Sequence, residues 1–414
     1  MKTDIEYDVV VIGGGPAGMM VAARASARGR SVLLLEKNNE LGKKLSITGG
    51  GRCNVTNNKP VVREMLSMYK DSGKYLFSTF MQFGVKETID WFKERNVDFI
   101  EENEGRLFPS TQKAETIRQT LINELEKTKV ELKLCSIVSG INYNKKKEIF
   151  NIETLAGSIN ARSCVVTTGG TSRPETGSSG EGFEWLQKLG HTVVTNNMAL
   201  VPLMINAKWI SSLAGVSLPE VKITLFSNSK KDSAHKGKLL FTHVGVTGPT
   251  VLNLSKKVGE LLEDGKVELK VDLVPDLDAG ELKQKLTKVF SESSNKKIKN
   301  VLSEFVPTAV GKVILSLVGV DEETPCHSVT KESRKQILTS MKSFVLPVKG
   351  LLGPDKAVVS SGGVSLDEVN FKTMESKVIK GLYFAGDVLN INRPSGGYSL
   401  QLCWSTGFVV GSSV

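Results

Sequence analysis

Gly13, Gly15 and Gly18 stand in the order G-x-G-x-x-G, and a carboxylate, Glu36, follows 18 residues after the last of them. These residue types at this spacing hold a dinucleotide. The first glycine lets the chain turn, the second leaves room for a pyrophosphate, and the third lets a helix close on a strand. A helix that starts there offers free N–H groups and partial positive charge to the phosphates. A carboxylate at the end of the next strand accepts from ribose hydroxyls and repels a 2′-phosphate, which favours FAD or NAD over NADP.

Three further clusters lie far along the chain. Ala385, Gly386 and Asp387 follow the apolar run L-Y-F. An extended FAD reaches a second strand end, where Asp387 would accept from a ribitol hydroxyl or orient a bridging water. NAD is shorter and needs no such contact, so FAD is the expected cofactor. The stretch T-G-G-G-R-C-N-V-T-N at 48–57 sets three bare glycines before a cation. Gly49, Gly50 and Gly51 cost backbone entropy to order, so they are expected to lie against the cofactor near its flavin end. Arg52 would then supply charge to the pyrophosphate or a nearby anion, and Asn54 would meet a polar ring edge. Cys53 has no partner at C-x-x-C spacing and reads as a packing residue. Finally, Gly396 and Gly397 precede an apolar helix expected to start near Tyr398. Its N-terminus, aimed at N1 and the C2 carbonyl of a flavin, would stabilise the reduced anion. The plainer alternative is a helix that only packs on the sheet.

The elements that must position these residues are legible in outline. Y-D-V-V-V-I at 7–12 and S-V-L-L-L-E-K at 31–37 are buried parallel strands around an alanine-rich helix. Residues 61–127 read as helical, and 130–138, 150–155 and 163–170 as strands. Short alternating segments such as V-K-I-T-L-F at 221–226 make 194–275 a β-rich part, and 276–343 reads as a helical part. The chain then returns to buried-strand patterns at 357–364 and 381–388. The fold class expected is therefore α/β: a Rossmann-like FAD-binding domain with a parallel central sheet, from 1–193 and 352–414, with an inserted β-rich plus helical domain at 194–351.

With 414 residues, 40% hydrophobic and 24% charged, the chain has the composition of a globular protein of more than one domain. Its five cysteines are scattered and its histidines number four, which disfavours a disulfide framework and a metal site. Acids interrupt any leader pattern in M-K-T-D-I-E-Y-D, and no apolar run is long enough to span a bilayer. The expected setting is cytoplasmic, with no membrane partner. Net charge is +10, but the lysines are interleaved with acids and read as solvated faces, which disfavours nucleic acid as the partner. Nothing in the pattern selects an oligomeric state or a catalytic acid or base.

The chain resembles the HI0933-like family of bacterial flavoproteins, distant relatives of the glutathione reductase class of FAD folds. The resemblance is carried by G-G-G-P-A-G (13–18), E-K (36–37), G-K-K-L-S-I-T-G-G-G-R-C-N-V-T-N (42–57), T-T-G-G (167–170), T-G-S-S-G-E-G-F (176–183), L-F-T-H-V-G-V-T-G-P (240–249), F-A-G-D-V-L-N (384–390) and G-G-Y-S-L-Q (396–401). It implies FAD contacts from Pro16, Ala17, Lys37, Lys44, Leu45, Thr48, Gly50, Cys53, Val138, Thr168, Gly169, Gly170, Tyr398, Ser399 and Leu400 beside those read above, and an inserted domain closing over the flavin. Ser399 and Arg393 depart from the family's usual asparagine and glycine.

The expected function is an FAD-dependent reductase or dehydrogenase acting on a small organic substrate. The chain has no second strand–G-x-G-x-x-G–helix unit, so NAD(P)H would be a transient co-substrate at the flavin face. A flavin-dependent RNA-modifying enzyme and a non-catalytic FAD-binding regulator are the alternatives.

Overall fold

The computed structural model describes residues 5–195, 200–353 and 362–414. The chain divides into two compact units, Met1–Met198 with Ala357–Val414, and Ala199–Lys356.

The first unit is built on a nine-stranded sheet. β1 (Tyr7–Ile12) runs parallel to β2 (Val32–Leu35), with Val9 opposite Val32 and Ile12 opposite Leu35. On its other side β1 pairs in parallel with Gly157–Val166, which in turn pairs with Leu382–Phe384. Val9, Val10, Val11, Leu33 and Leu34 are fully buried, as β-branched and leucine side chains covered on both faces of a parallel sheet must be. Between β1 and β2 lies α1 (Pro16–Ala27), with proline at its first turn and eight buried residues. The helix Tyr398–Ser413 lies against it. Gly407 and Gly411 allow this, since a Cβ on either would stand 2.8 Å from a carbonyl oxygen of α1, at Ala17 and Val21.

The second unit holds a closed six-stranded antiparallel barrel, in the order Leu203–Ile205, Gly245–Thr247, Lys230–Phe241, Ser217–Ser227, Val267–Asp272, Phe344–Leu351. Val221, Ile223, Leu225, Leu269, Val271 and Leu346 alternate inward and are fully buried in a core of this unit alone. Helices Ala279–Glu292, Ile298–Leu302, Thr308–Val318 and Lys331–Lys342 complete it. The α/β class with an added β-rich and helical body is thus the observed one.

Four local expectations need correction. Residues 61–127 are not helical throughout: Phe99–Glu102 and Arg106–Pro109 form, with Thr56–Asn57, a small antiparallel sheet. The segment 130–138 is two pieces, because the exposed strand Glu131–Lys133 ends before Val138 opens the next. The β-rich part contains a 16-residue helix, Pro249–Asp264, whose Val251, Leu252, Leu254 and Val258 are buried at helical spacing behind an N-terminal proline. Of the strand expected at 357–364, residues 357–361 lie outside the described residues. Gly362–Val364 pairs with Val193–Thr195 in a separate two-stranded sheet, and the chain reaches β1's neighbour again at Leu382. No helix among the described residues is long and apolar enough to cross a membrane, and none of their acidic, histidine or cysteine side chains cluster as metal ligands.

Candidate cofactor site

The three motif glycines after β1 have different physical reasons. Gly13 adopts φ +110°, and a Cβ there would lie 2.7 Å from the Thr167 carbonyl oxygen. At Gly18 a Cβ would lie 1.9 Å from the Gly13 oxygen, so helix and strand could not close. Gly15 has an ordinary φ of −75°, and nothing in the chain comes within 4 Å of where its Cβ would be. The fold itself does not require glycine there, and the space above it is open to a group outside the chain. Pro16, Ala17 and Gly18 form the first turn of α1, whose starting N–H groups have no side-chain cap. Open space over an uncapped helix start suits a pyrophosphate.

Glu36 sits at the end of β2 with 8% exposure. Its Oε2 accepts from the Gly14 N–H (2.7 Å), and its Oε1 accepts from the Asn38 N–H (2.8 Å) and Nδ2 (2.7 Å). These bonds fix the carboxylate beside the glycine turn while Oε2, which accepts only one of them, keeps acceptor capacity for a ribose hydroxyl. Val138 begins its strand two residues after Ser136, whose N–H donates to the Glu36 carbonyl (2.9 Å). Lys37 instead points to Ser179 (2.7 Å) and Glu181 (3.0 Å). Substituting Glu36→Arg is expected to weaken FAD binding by about 1–3 kcal/mol, the scale of losing a charged acceptor and leaving its partners unpaired. Flavin absorbance after dialysis reads this out, and unchanged retention would place the carboxylate away from the ribose.

On the facing strand end, Thr167 Oγ1 lies 2.9 Å from the carbonyl oxygens of both Ile12 and Gly13. Thr168 Oγ1, next in the chain, is buried and has no partner within the protein. Gly169 has φ +74°, and Gly170 is buried. The Thr168 hydroxyl lies against Gly182, whose Cβ would stand 2.2 Å from it, and a Cβ on Gly169 would stand 2.8 Å from Ser178 Oγ, so this glycine turn is closed by the protein itself.

The two remote motifs meet. A Cβ on Gly386 would stand 3.0 Å from the Ala17 Cβ, so the A-G-D turn lies against the first turn of α1. Asp387 accepts from the Arg393 guanidinium, which also donates to Ser399 Oγ (2.9 Å) and to the Ile391 carbonyl. The Arg393 side chain is 1% exposed. Nearby, Lys44 Nζ donates to Ser172 Oγ (2.6 Å) and its carbonyl (3.1 Å). Burial pushes the Lys44 ammonium pKa down, and the Asp387 charge offsets part of that. Sequence reasoning noticed Arg393 only as a departure from the family pattern. The pairing that fills one Asp387 oxygen was not legible from two residues in a loop.

The 48–57 stretch serves mainly a different purpose from the one expected. A Cβ on Gly49 would meet the Asn54 N–H nitrogen at 2.9 Å, while Gly50 and Gly51 hold positive φ beside open space. Arg52 is engaged within the protein: Glu102 (2.6 Å) and Gln112 (2.9 Å) accept from it, and it lies 4.1 Å over the Phe108 ring. It is therefore not a free cation for a pyrophosphate. Asn54 accepts from the Gly397 N–H (3.1 Å) and donates to the Thr56 carbonyl (3.0 Å). Trp404 Nε1 donates to the Val55 carbonyl (2.9 Å), Thr56 Oγ1 donates to Gln401 Oε1 (2.6 Å), and Asn57 Nδ2 donates to the Gly396 carbonyl (3.2 Å). The block is a clasp on the start of the Tyr398–Ser413 helix. Leu45 is buried, and Thr48 Oγ1 donates to its carbonyl (2.7 Å).

That clasp also explains Gly397. Its φ is +97°, and a Cβ would lie 2.4 Å from the Thr56 carbonyl carbon, so a valine there disrupts the chain whatever the cofactor does. Tyr398, Ser399 and Leu400 form the first turn of the helix, and no side chain caps it.

Cys53 is fully buried, and burial pushes its thiol up to about 12. Only Cys135 is exposed. Titration of native protein with a thiol reagent is therefore expected to show one fast-reacting cysteine, and a Cys135→Ser variant none. A fast thiol surviving in that variant would contradict the burial of the other four.

The whole described architecture matches one family model, the HI0933-like protein Rossmann domain, over residues 7–413. The chain belongs to the HI0933-like family. As a member it is an FAD-dependent oxidoreductase, and the glycine turn, Glu36 and the A-G-D turn are the residues that fit the cofactor. It is 29% identical to the "Ribosomal RNA dihydrouridine synthase" of Escherichia coli (strain K12), covering 97% of this chain and 96% of that protein. It is 27% identical to the "3-dehydro-bile acid delta(4,6)-reductase" of Clostridium scindens, covering 97% of each. Among solved structures, a 3-ketosteroid delta1-dehydrogenase from Sterolibacterium denitrificans shares the fold, with a TM-score of 0.56, 14% identity and 99% of each chain covered.

Proposed function

We propose that this protein reduces a carbon–carbon double bond conjugated to a carbonyl, with NAD(P)H as the electron donor and the uracil ring of RNA as the substrate. One observation carries the reaction class. Two full-length relatives bear names for different substrates, yet both reactions saturate an alkene activated by a carbonyl: C5=C6 of uridine, and the Δ4,6 system of a 3-oxo steroid acid. Bound FAD supplies the hydride for such a step.

In this reading the chain's own groups do the rest. The first N–H groups of α1 and the open face of Gly15 hold the pyrophosphate, Glu36 the ribose, and Asp387 with Arg393 the ribitol side. Lys44 Nζ, desolvated and fixed by Ser172, holds a proton where the saturated carbon needs one. The start of the Tyr398–Ser413 helix has no side-chain cap, and a flavin ring held there would have its reduced anion favoured by the helix N–H groups.

RNA is favoured by the ribosomal RNA relative, which matches over 97% of this chain, and the net charge of +10 is compatible with it. A small cyclic enone is the second reading, favoured by the bile acid relative at similar identity and coverage. The test is anaerobic. The yellow protein is reduced with NADH or NADPH, then offered either an unmodified ribosomal RNA transcript or a 3-oxo-Δ4,6 steroid acid. Reoxidation with saturation of uridine supports the first reading, and reoxidation by the steroid acid the second. A reduced protein that neither acceptor reoxidises overturns the reaction class.

A further inference from the structure

The barrel unit carries a cleft of about 330 Å³, lined by Trp209, Phe344, Leu317, Val345, Ser340 and Asn206 among others. That is the small end of ligand-sized clefts. Its floor is aromatic, with the Trp209 and Phe344 rings 5.1 Å apart and tilted by 50°. Its apolar wall is left in solvent: Leu317 is 55% exposed and Val345 39%. Among the described residues, the side chains of Asn206, Ser340 and Ser343 and the Trp209 N–H form no hydrogen bond within the chain. Phe344 is buried, so the partly exposed Trp209 ring is the face open for stacking, and with the spare donors and acceptors around it the cleft matches an unstacked nucleobase.

The surroundings supply the other half of a nucleotide's needs. Lys208 precedes Trp209 and is exposed. Val345, on the cleft wall, is directly opposite Lys270 on the neighbouring strand, and Lys270 in turn is opposite Thr224. The Lys270 ammonium lies 4.3 Å over the Phe226 ring. One strand further, Lys222 lies between Lys236 on one neighbouring strand and Asp272 on the other. Lys236 has Glu220 and Asp276 at 3.5 and 3.6 Å, but Lys208, Lys222 and Lys270 form no ion pair among the described residues. The acids on this face are Glu268, opposite Pro347, Asp272, opposite Lys222 and held by Lys342 at 2.6 Å, and Glu220 and Asp276 beside Lys236.

We propose that this face of the barrel unit binds single-stranded RNA, with one unstacked base on Trp209 in the cleft and the backbone tracking across Lys208, Lys270 and Lys222. Stacking on an aromatic floor beside a basic track is how single strands are held without reading a fixed sequence. The proposal rests on the RNA reading above, adding a docking surface that the cofactor site does not contain.

The experiment uses the FAD-loaded full chain and a fluorescein-labelled oligouridylate of about a dozen nucleotides, matched to the usual footprint of a single-strand site. Anisotropy at low and moderate salt gives Kd and its salt slope. Combining Lys208→Glu with Lys270→Glu is expected to weaken binding by about tenfold or more and to flatten the slope. Trp209→Ala is expected to weaken it by roughly five- to hundredfold, with Trp209→Phe restoring most of the loss. Lys288→Glu, on the helix Ala279–Glu292, is expected to change nothing. Flavin absorbance and reduction by NAD(P)H confirm that each variant is folded and loaded. Wild-type protein that ignores the oligonucleotide, cleft variants that bind it normally, or equal affinity for a duplex would each overturn the proposal. Uridine saturation by cleft variants with normal RNA affinity would keep the proposed reaction and remove the cleft. RNA binding lost in those variants, in a protein that reduces no uridine, would keep the cleft and remove the reaction.

Discussion

Gly15→Val is expected to abolish FAD retention while leaving the apoprotein folded. Its φ of −75° suits any residue, and no atom of the chain lies within 4 Å of the added Cβ. The apoprotein's stability should therefore change by no more than about 0.5 kcal/mol, as for a substitution that meets nothing. In the proposed binding mode the pyrophosphate occupies that same space, and overpacking it costs about 3 kcal/mol, roughly a hundredfold in Kd. Gly18→Val is the contrast. There the Cβ would lie 1.9 Å from the Gly13 oxygen, so the apoprotein itself should lose about 3 kcal/mol or more. Denaturant melts of the two apoproteins, beside FAD titrations, separate the cases. Gly15→Val protein that binds FAD normally would move the cofactor away from the turn.

Arg393→Ala is expected to destabilise the protein by about 3–5 kcal/mol, because it strands the Asp387 carboxylate in a nearly closed site. The Asp387 side chain is 14% exposed and Arg393 1%, so water reaches the pair poorly. Ser399 Oγ and the Ile391 carbonyl would lose their donor as well. Adding Asp387→Asn should recover much of the loss, since the stranded charge is its largest part. Urea melts of the single and double variants measure the coupling. Additive effects would show that the two side chains do not depend on each other.

The parts of this fold that could be read from sequence are those where a periodic pattern and a local constraint agree. Y-D-V-V-V-I, the glycine turn and S-V-L-L-L form one strand–helix–strand unit whose burial and turn chemistry depend on neighbours in the chain. Glu36 was legible for the same reason, standing at a fixed distance from that turn. The role of 48–57 was not. Its glycines, Asn54, Thr56 and Asn57 answer to Gly396, Gly397, Gln401 and Trp404, more than 300 residues away, and no local pattern announces that pairing. Arg52 misled because a lone cation after glycines looks available, whereas Glu102 and Phe108 come from a small sheet inside a region that reads as helical. The helix Pro249–Asp264 was hidden by strands on both sides, although its apolar spacing was there to be counted.

The helix Tyr398–Ser413 has a consequence for how the protein is made. Arg24 on α1 donates to Ser412, 388 residues later, and the 48–57 clasp waits for the same helix. While the ribosome is still reading the middle of the message, α1 shows water the buried face that this helix will cover, and the clasp has nothing to hold. The barrel unit, with its own core, can close once Phe344–Leu351 is made and pairs with Leu203–Ile205, before this helix is synthesised. Synthesis therefore produces a finished centre between two unfinished ends, and the ends are exposed to aggregation or proteolysis for most of a translation cycle.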